Sequence, residues 1–315
     1  MSKNVIFIIL FILSIGLNVI LGFRLKEIKK PPSQPQSPEK SSFKLVNPIS
    51  PIIDSNIQES SVILHYIDLK PKIEEEIQKF KAEKNAAFFL QDVQTGAWLG
   101  INEREGFMPA SLLKVPIMMA FLKKVDREEV KLTDFVELTA EDLDKNAGKL
   151  YQKGVGTKMT IWDLIKEMIL TSDNTAKNAL KRQLTEAELN AVFAHVGIPN
   201  PYVLQNGQVV SPRGYTRILK SLYFATFLSP SLSEKALDIM TDTEMENLIS
   251  AAIPSEVQVA HKFSERPDGL GDCGIVYQPK NPYFLCMMTK DMEIPKAKEL
   301  ITNLSKIVYL YVSKK

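Results

Sequence analysis

Cysteine is scarce. The 315-residue chain holds two, Cys273 and Cys286. That excludes a disulfide-built scaffold and a multi-cysteine zinc site. Histidine is almost as scarce: His65, His195 and His261 lie far apart and form no metal-ligand spacing. Each reads as a surface or core residue, and no metal or cofactor is expected. An excess of one charge is missing too. The chain has 39 Lys and Arg against 37 Asp and Glu, a net charge of +2. Nothing in that balance draws the chain onto phosphates by its net field, so no nucleic-acid partner is expected. No repeat appears at solenoid periods. What is abundant is apolar side chain, 45% of residues. That is too much for a disordered protein and enough to bury a core.

One long apolar run is present, from Val5 to Phe23, with Ser14 and Asn18 as its polar side chains. As a helix it would span about 28 Å, enough to cross a bilayer's hydrocarbon core. A cleavable signal peptide would have a shorter apolar stretch and a small-x-small site, which Leu21-Gly22-Phe23-Arg24 does not offer. A buried soluble helix would need an amphipathic side. Residues 1–30 are therefore expected to be an uncleaved signal anchor, a single transmembrane helix. The flank after it carries Arg24, Lys26, Lys29 and Lys30 against Glu27. By the positive-inside rule that flank belongs in the cytoplasm. On this bias alone, the chain could be a cytoplasmic, membrane-tethered protein. Residues 31–60 open with Pro31-Pro32-Ser33-Gln34-Pro35-Gln36-Ser37-Pro38 and read as a semi-extended linker.

The body, residues 61–315, mixes helix and strand signals. Pro71–Lys84 reads as a helix with a narrow apolar stripe. Ala86–Leu90 and Gly96–Ile101 read as a hairpin around Gln91–Thr95. From Ser111 to His195 the signals are mostly helical, with Thr160 capping an amphipathic segment that contains Ile161, Leu164, Ile165, Met168 and Ile169. Ser211–Leu228 and Ser231–Ile249 read as helices. Strand signals return at Val257–Lys262, Gly274–Tyr277 and Tyr283–Thr289, before a closing helix at Ile294–Val312. The pattern predicts an α+β fold: an antiparallel sheet flanked by helices, with a helical lobe inserted.

Three short segments carry the chemistry. Ser111-Leu112-Leu113-Lys114 is an S-x-x-K sequence. On a helix the serine and lysine share a face, so the amine can reach the hydroxyl. A serine is a weak nucleophile until a base takes its proton, and lysine is a base only where its charge is disfavoured. Ser172-Asp173-Asn174 follows the Thr160 helix and could be an ordinary turn. It could also present Ser172 as a proton relay and Asn174 as an amide donor. Lys262, at the end of a strand, could hold an anionic substrate group and repel the charge on Lys114.

In this order the segments resemble the S-x-x-K, S-D-N and K-T-G signature of class A β-lactamases and penicillin-binding proteins. Pro109-Ala110 before the serine, and Thr175-Ala176 with Asn178 after S-D-N, extend the likeness over about Lys84 to Val312. The resemblance implies a β-lactamase/transpeptidase-like fold, with a five-stranded antiparallel sheet and the site between sheet and helical lobe. It implies a serine acyl-enzyme hydrolase acting on a β-lactam or a D-alanyl-D-alanine cell-wall peptide. Ser111 would be the nucleophile, Lys114 the proton acceptor and Ser172 the relay. Asn174, Lys262, Ser264 and Glu265 would bind substrate, with the backbone N–H groups of Ser111 and Glu265 as an oxyanion hole. Such substrates place the domain outside the cell, against the flanking charges.

Two departures stand out. The third motif is Lys262-Phe263-Ser264: Phe263 has no hydroxyl for a carboxylate, and Ser264 replaces glycine. The segment Gly197–Ser211, where class A enzymes carry the glutamate that activates the deacylating water, contains no Asp or Glu. Glu186 and Glu188 imitate that motif but arrive too soon after Ser172 and read as a solvated helix face. A general base contributes ~10²–10⁴-fold, so deacylation is expected to be slow. A D-alanyl-D-alanine carboxypeptidase, or a catalytically weak peptidoglycan-binding relative, is the alternative. Cys273 and Cys286 are equidistant from a turn at Pro279-Lys280 and could pair across strands, but two buried thiols are the simpler expectation.

Overall fold

A computed structural model describes residues 44–47, 66–203, 209–243 and 248–314. The expected anchor and most of the linker lie outside these residues. Five strands form one antiparallel sheet: β1 (Ala86–Asp92), β2 (Trp98–Ile101), β5 (Val259–Arg266), β6 (Gly269–Val276) and β7 (Tyr283–Thr289), in the order β2-β1-β7-β6-β5. A second, two-stranded sheet joins β3 (Phe135–Glu137) to β4 (Lys158–Thr160).

The period-2 geometry of a strand sends alternate residues to opposite faces. On β7, Tyr283, Leu285 and Met287 pack with α1 (Lys70–Lys79) and α8 (Ile294–Val312). Phe284, Cys286 and Met288 face the other way, into a core shared with the helical lobe. That lobe comprises α2 (Lys114–Asp126), α3 (Ile161–Leu170), α4 (Asn174–Arg182), α5 (Glu186–Val196), α6 (Pro212–Tyr223) and α7 (Pro230–Thr241). Thr160 caps α3 as expected, its hydroxyl accepting from the Asp163 amide at 3.0 Å. Ser211 caps α6 in the same way.

Several boundaries differ from the sequence reading. The first helix stops at Lys79, and the helices expected to reach Leu228 and Ile249 end at Tyr223 and Thr241. β6 begins at Gly269 rather than Gly274. Its glycines look like breakers but permit close packing: a Cβ at Gly269 would lie 2.3 Å from the Thr289 carbonyl oxygen. Cys273 and Cys286 face one another across β6 and β7, in the register expected from the turn. They are joined in a disulfide, which corrects the expectation of separate thiols.

Candidate active site

Ser111 sits in a 3-10 turn, Ala110–Leu113, that runs straight into α2. Residues three apart eclipse in such a turn, so Lys114 stands over Ser111 and its Nζ donates to Ser111 Oγ at 3.1 Å. One contact and one backbone feature mark the turn. The buried Tyr215 hydroxyl, on α6, donates to the Leu112 carbonyl at 2.9 Å. Ala110 adopts φ 44°, a left-handed backbone that costs a residue with a Cβ about 1–2 kcal/mol.

Ser172 lies between α3 and α4, also left-handed at φ 57°. Asp173 holds it there. Fully buried, its carboxylate accepts from the Ala176 amide at 2.9 Å, capping α4, and from the Leu150 amide at 2.8 Å. Gly148 leaves room for this carboxylate. It has φ +79°, and a Cβ there would lie 1.9 Å from Asp173 Oδ2.

Ser172 Oγ bridges two amines. Lys114 Nζ donates to it at 3.0 Å and also to the Ser172 carbonyl oxygen. Lys262 Nζ donates to the same hydroxyl oxygen at 3.1 Å. Lys114 is 1% exposed and Lys262 not at all. Burial lowers the Lys114 pKa to about 7, helped by repulsion from Lys177 and opposed by Asp173 and Asp144. Burial, then repulsion from Lys114, brings Lys262 down to about 7 against the pull of Asp272. Two buried amines sharing one hydroxyl titrate as a unit, and near neutral pH the pair does not hold two full charges.

Beside the site, β5 is the edge strand next to the Ser111 turn, and half of an edge strand's backbone groups point off the sheet. Behind Lys262, His261 Nδ1 pairs with Asp272 Oδ1 at 2.9 Å and His261 Nε2 with Thr243 Oγ1 at 2.9 Å. This buried cluster ties β5 to β6. The Phe263 ring lies 4.2 Å from Lys262 Nζ, a cation–π distance. Ser264 is buried against Gly271, where a Cβ would come 2.9 Å from its Oγ.

An open cleft of about 400 Å³ lies over this floor, lined by Ser111, Lys114, Asn174, Glu265, Lys177 and Tyr202 among others. Of the residues expected at the site, Ser111, Lys114, Ser172 and Lys262 are hydrogen-bonded together, while Asn174 and Glu265 line the cleft. Ser172, Lys262 and Ser264 lie beneath the cleft surface rather than lining it, and Lys262 is joined to the site through Ser172. The Asn174 side-chain amide donates to Asp144 Oδ2 at 3.3 Å. Among the described residues no group of three or more His, Cys, Asp or Glu could hold a metal ion. A larger hollow, about 540 Å³ between β4 and α3, contains none of these site residues.

A sequence profile of the beta-lactamase enzyme family matches residues 68–312. The chain belongs to that family. A beta-lactamase of Bacillus licheniformis is 24% identical over 259 residues, 76% of this chain and 83% of its own length. One from Bacillus amyloliquefaciens is 27% identical over 226 residues, 67% of this chain and 73% of its own. The solved structure of PBP-A matches with a TM-score of 0.71 at 28% identity, over 78% of this chain and 97% of that one. A PBP-A variant, solved as an acyl-enzyme complex with penicillin G, matches with a TM-score of 0.70 at 29% identity, over 78% and 98%. A beta-lactamase from Sphaerobacter thermophilus, 20% identical with a TM-score of 0.71 over 77% and 97%, shares the fold.

This member of the beta-lactamase family lacks a carboxylate throughout Gly197–Ser211. Glu188 does not substitute for one. It closes a capping box with Thr185 on α5 and pairs with Lys124 at 2.6 Å. Glu186 lies in the first turn of the same helix. The sequence reading missed Lys177, Lys181 and Tyr202. The signal was present, because Asn174, Lys177, Asn178 and Lys181 recur at i, i+3, i+4 and i+7 on one helix face.

Proposed function

We propose that this chain is a serine hydrolase that opens β-lactams through an acyl-enzyme on Ser111. The observation that carries the reading is the Ser111–Lys114–Ser172–Lys262 hydrogen-bonded chain, in which burial leaves an amine able to accept a proton near neutral pH. Ser111 Oγ attacks the lactam carbonyl carbon while its proton passes to neutral Lys114. The C–N bond then breaks, and the ring nitrogen takes a proton from Ser172 Oγ, which Lys114 replenishes. The oxyanion develops near the backbone of Ser111 and Glu265, and Asn174 receives the acyl-side amide.

Deacylation is the weak step. Water must attack the ester with Lys114 as its base, since Gly197–Ser211 supplies no carboxylate. The same absence, with the likeness to PBP-A, favours a second reading: a D-alanyl-D-alanine carboxypeptidase that β-lactams trap. Intact-mass spectrometry after mixing with benzylpenicillin separates the two. An adduct on Ser111 that clears in seconds, with matching nitrocefin turnover, marks a lactamase. An adduct lasting hours marks a penicillin-binding protein. Absence of any adduct, with peptidoglycan binding retained, would leave a non-catalytic relative.

We place the domain on the outer side of the cell membrane, tethered through residues 1–30. The Cys273–Cys286 disulfide supports an oxidising compartment, against the charge bias after Phe23. Two thiols titratable in protein taken directly from cells would contradict that placement, as would protection of the 31–38 linker from protease added to intact cells.

A further inference from the structure

The α4 wall of the cleft carries charge that touches neither Ser111 nor Ser172, although Lys177 repels the charge on Lys114. Lys177 is half-buried, and among the described residues its ammonium makes no hydrogen bond or ion pair. Lys181 has no carboxylate partner there either, and its Nζ lies over the Tyr202 ring at 4.3 Å. Of the acids nearby, Asp144 attracts Lys177 from beyond ion-pair distance and already accepts from the Asn146 backbone and the Asn174 side chain. Glu265 is solvent-exposed. A partly desolvated ammonium whose counter-charge stands beyond ion-pair distance is incompletely compensated, and a bound anion relieves that cost.

The spacing says which part of a ligand would carry the anion. Asn174 heads α4, and Lys177 and Lys181 follow about 5 Å and about 10 Å along the helix axis. A ligand amide bonded at Asn174 has room to extend along this wall, and the helix runs away from Ser172.

We propose that Lys177 and Lys181 form an anion-binding subsite for a carboxylate carried on the acyl group of the substrate. The proposal rests on the acyl-enzyme reading above and adds to it a substrate class: acidic acyl donors. The carboxylate can belong to a β-lactam side chain or to an acidic residue preceding D-alanyl-D-alanine. Tyr202 supplies an apolar flank, and its ring holds the Lys181 ammonium beside the opening.

The test compares pairs that differ by one carboxylate. Rates of Ser111 acylation are measured with carbenicillin and benzylpenicillin, and with peptides carrying glutamate or glutamine before D-alanyl-D-alanine. In a Lys177→Gln/Lys181→Gln double variant the acidic-to-neutral rate ratio should fall about tenfold, the scale of a lost charge-assisted contact. The Lys177→Arg/Lys181→Arg variant should keep the ratio. A fall in the penicillin arm alone assigns the subsite to β-lactams, and a fall in the peptide arm alone assigns it to peptides. Unchanged ratios in both arms overturn the proposal. If Ser111 is never acylated, the acyl-enzyme reading fails, and equilibrium binding to the Ser111→Ala protein still decides the subsite. Preference for the acidic ligand, lost in the double-lysine background, supports it; equal binding overturns it.

Discussion

The floor of the cleft and its α4 wall are built on opposite principles. On the floor, Lys114 and Lys262 are buried and committed to Ser172. On the wall, Lys177 is half-buried, Lys181 is exposed, and neither has an acidic partner within ion-pair distance among the described residues. All four are lysines, but desolvation and shared hydrogen bonds turn the first two into a proton-handling pair, while the wall leaves charge free to meet a ligand. The environment of a lysine, more than its identity, decides whether it moves protons or binds anions.

The sharpest way to break the comparison is at its centre. Ser111→Ala should abolish the penicillin adduct in intact-mass spectra while the thermal melt stays close to wild type. An adduct that persists would move the nucleophile elsewhere. Lys114→Ala should slow acylation by about 10²–10⁴-fold, the usual contribution of a general base. The pH profile carries the sign. Lys114 accepts a proton only when neutral, so acylation should be slow below pH 7, rise through about pH 7 and level off above it. Lys114→Arg should show no such rise, because guanidinium stays charged.

Smaller effects test the supports. Gly148→Ala drives a Cβ into the Asp173 carboxylate at a positive φ. It should cost about 2–4 kcal/mol in denaturant unfolding, from overpacking plus left-handed strain. Acylation should fall with it, since Asp173 sets the backbone that presents Ser172. Phe263→Thr should lower KM for carboxylate-bearing β-lactams about 3–10-fold, by removing the ring beside Lys262 and adding a hydroxyl, and should lower the melting temperature because Phe263 is buried in the core shared with α1 and α8. A raised KM would mean instead that the ring helps hold Lys262 in place.

The floor was legible in the sequence because its geometry is local or tied to recognisable segments. Ser111 and Lys114 are one turn apart, and the remaining partners sit in segments that resemble a known signature. β7 and α8 were legible to the residue, since their apolar periods are unbroken. The first half of β6 was not, because Gly269, Gly271 and Asp272 carry no apolar strand signal. In the fold the glycines admit neighbouring backbone and side chain, and Asp272 is satisfied by His261 and the Ile249 amide. The wall went unread although its helical spacing is plain, because lysines on a short helix look like solvent-facing charge until the cleft beside them is known. Ser264 was expected just past a strand ending at Lys262; β5 instead runs on to Arg266, and Ser264 is buried within it against Gly271.

Ala110 invites a last consequence. Its left-handed backbone is stored tension one residue ahead of the nucleophile. Glycine there would relax the chain and raise the melting temperature, yet it would also let Ser111 drift from the amine that activates it. Robustness and turnover are therefore set against each other at a single methyl group, and selection for thermal hardiness alone would erode the enzyme's reactivity.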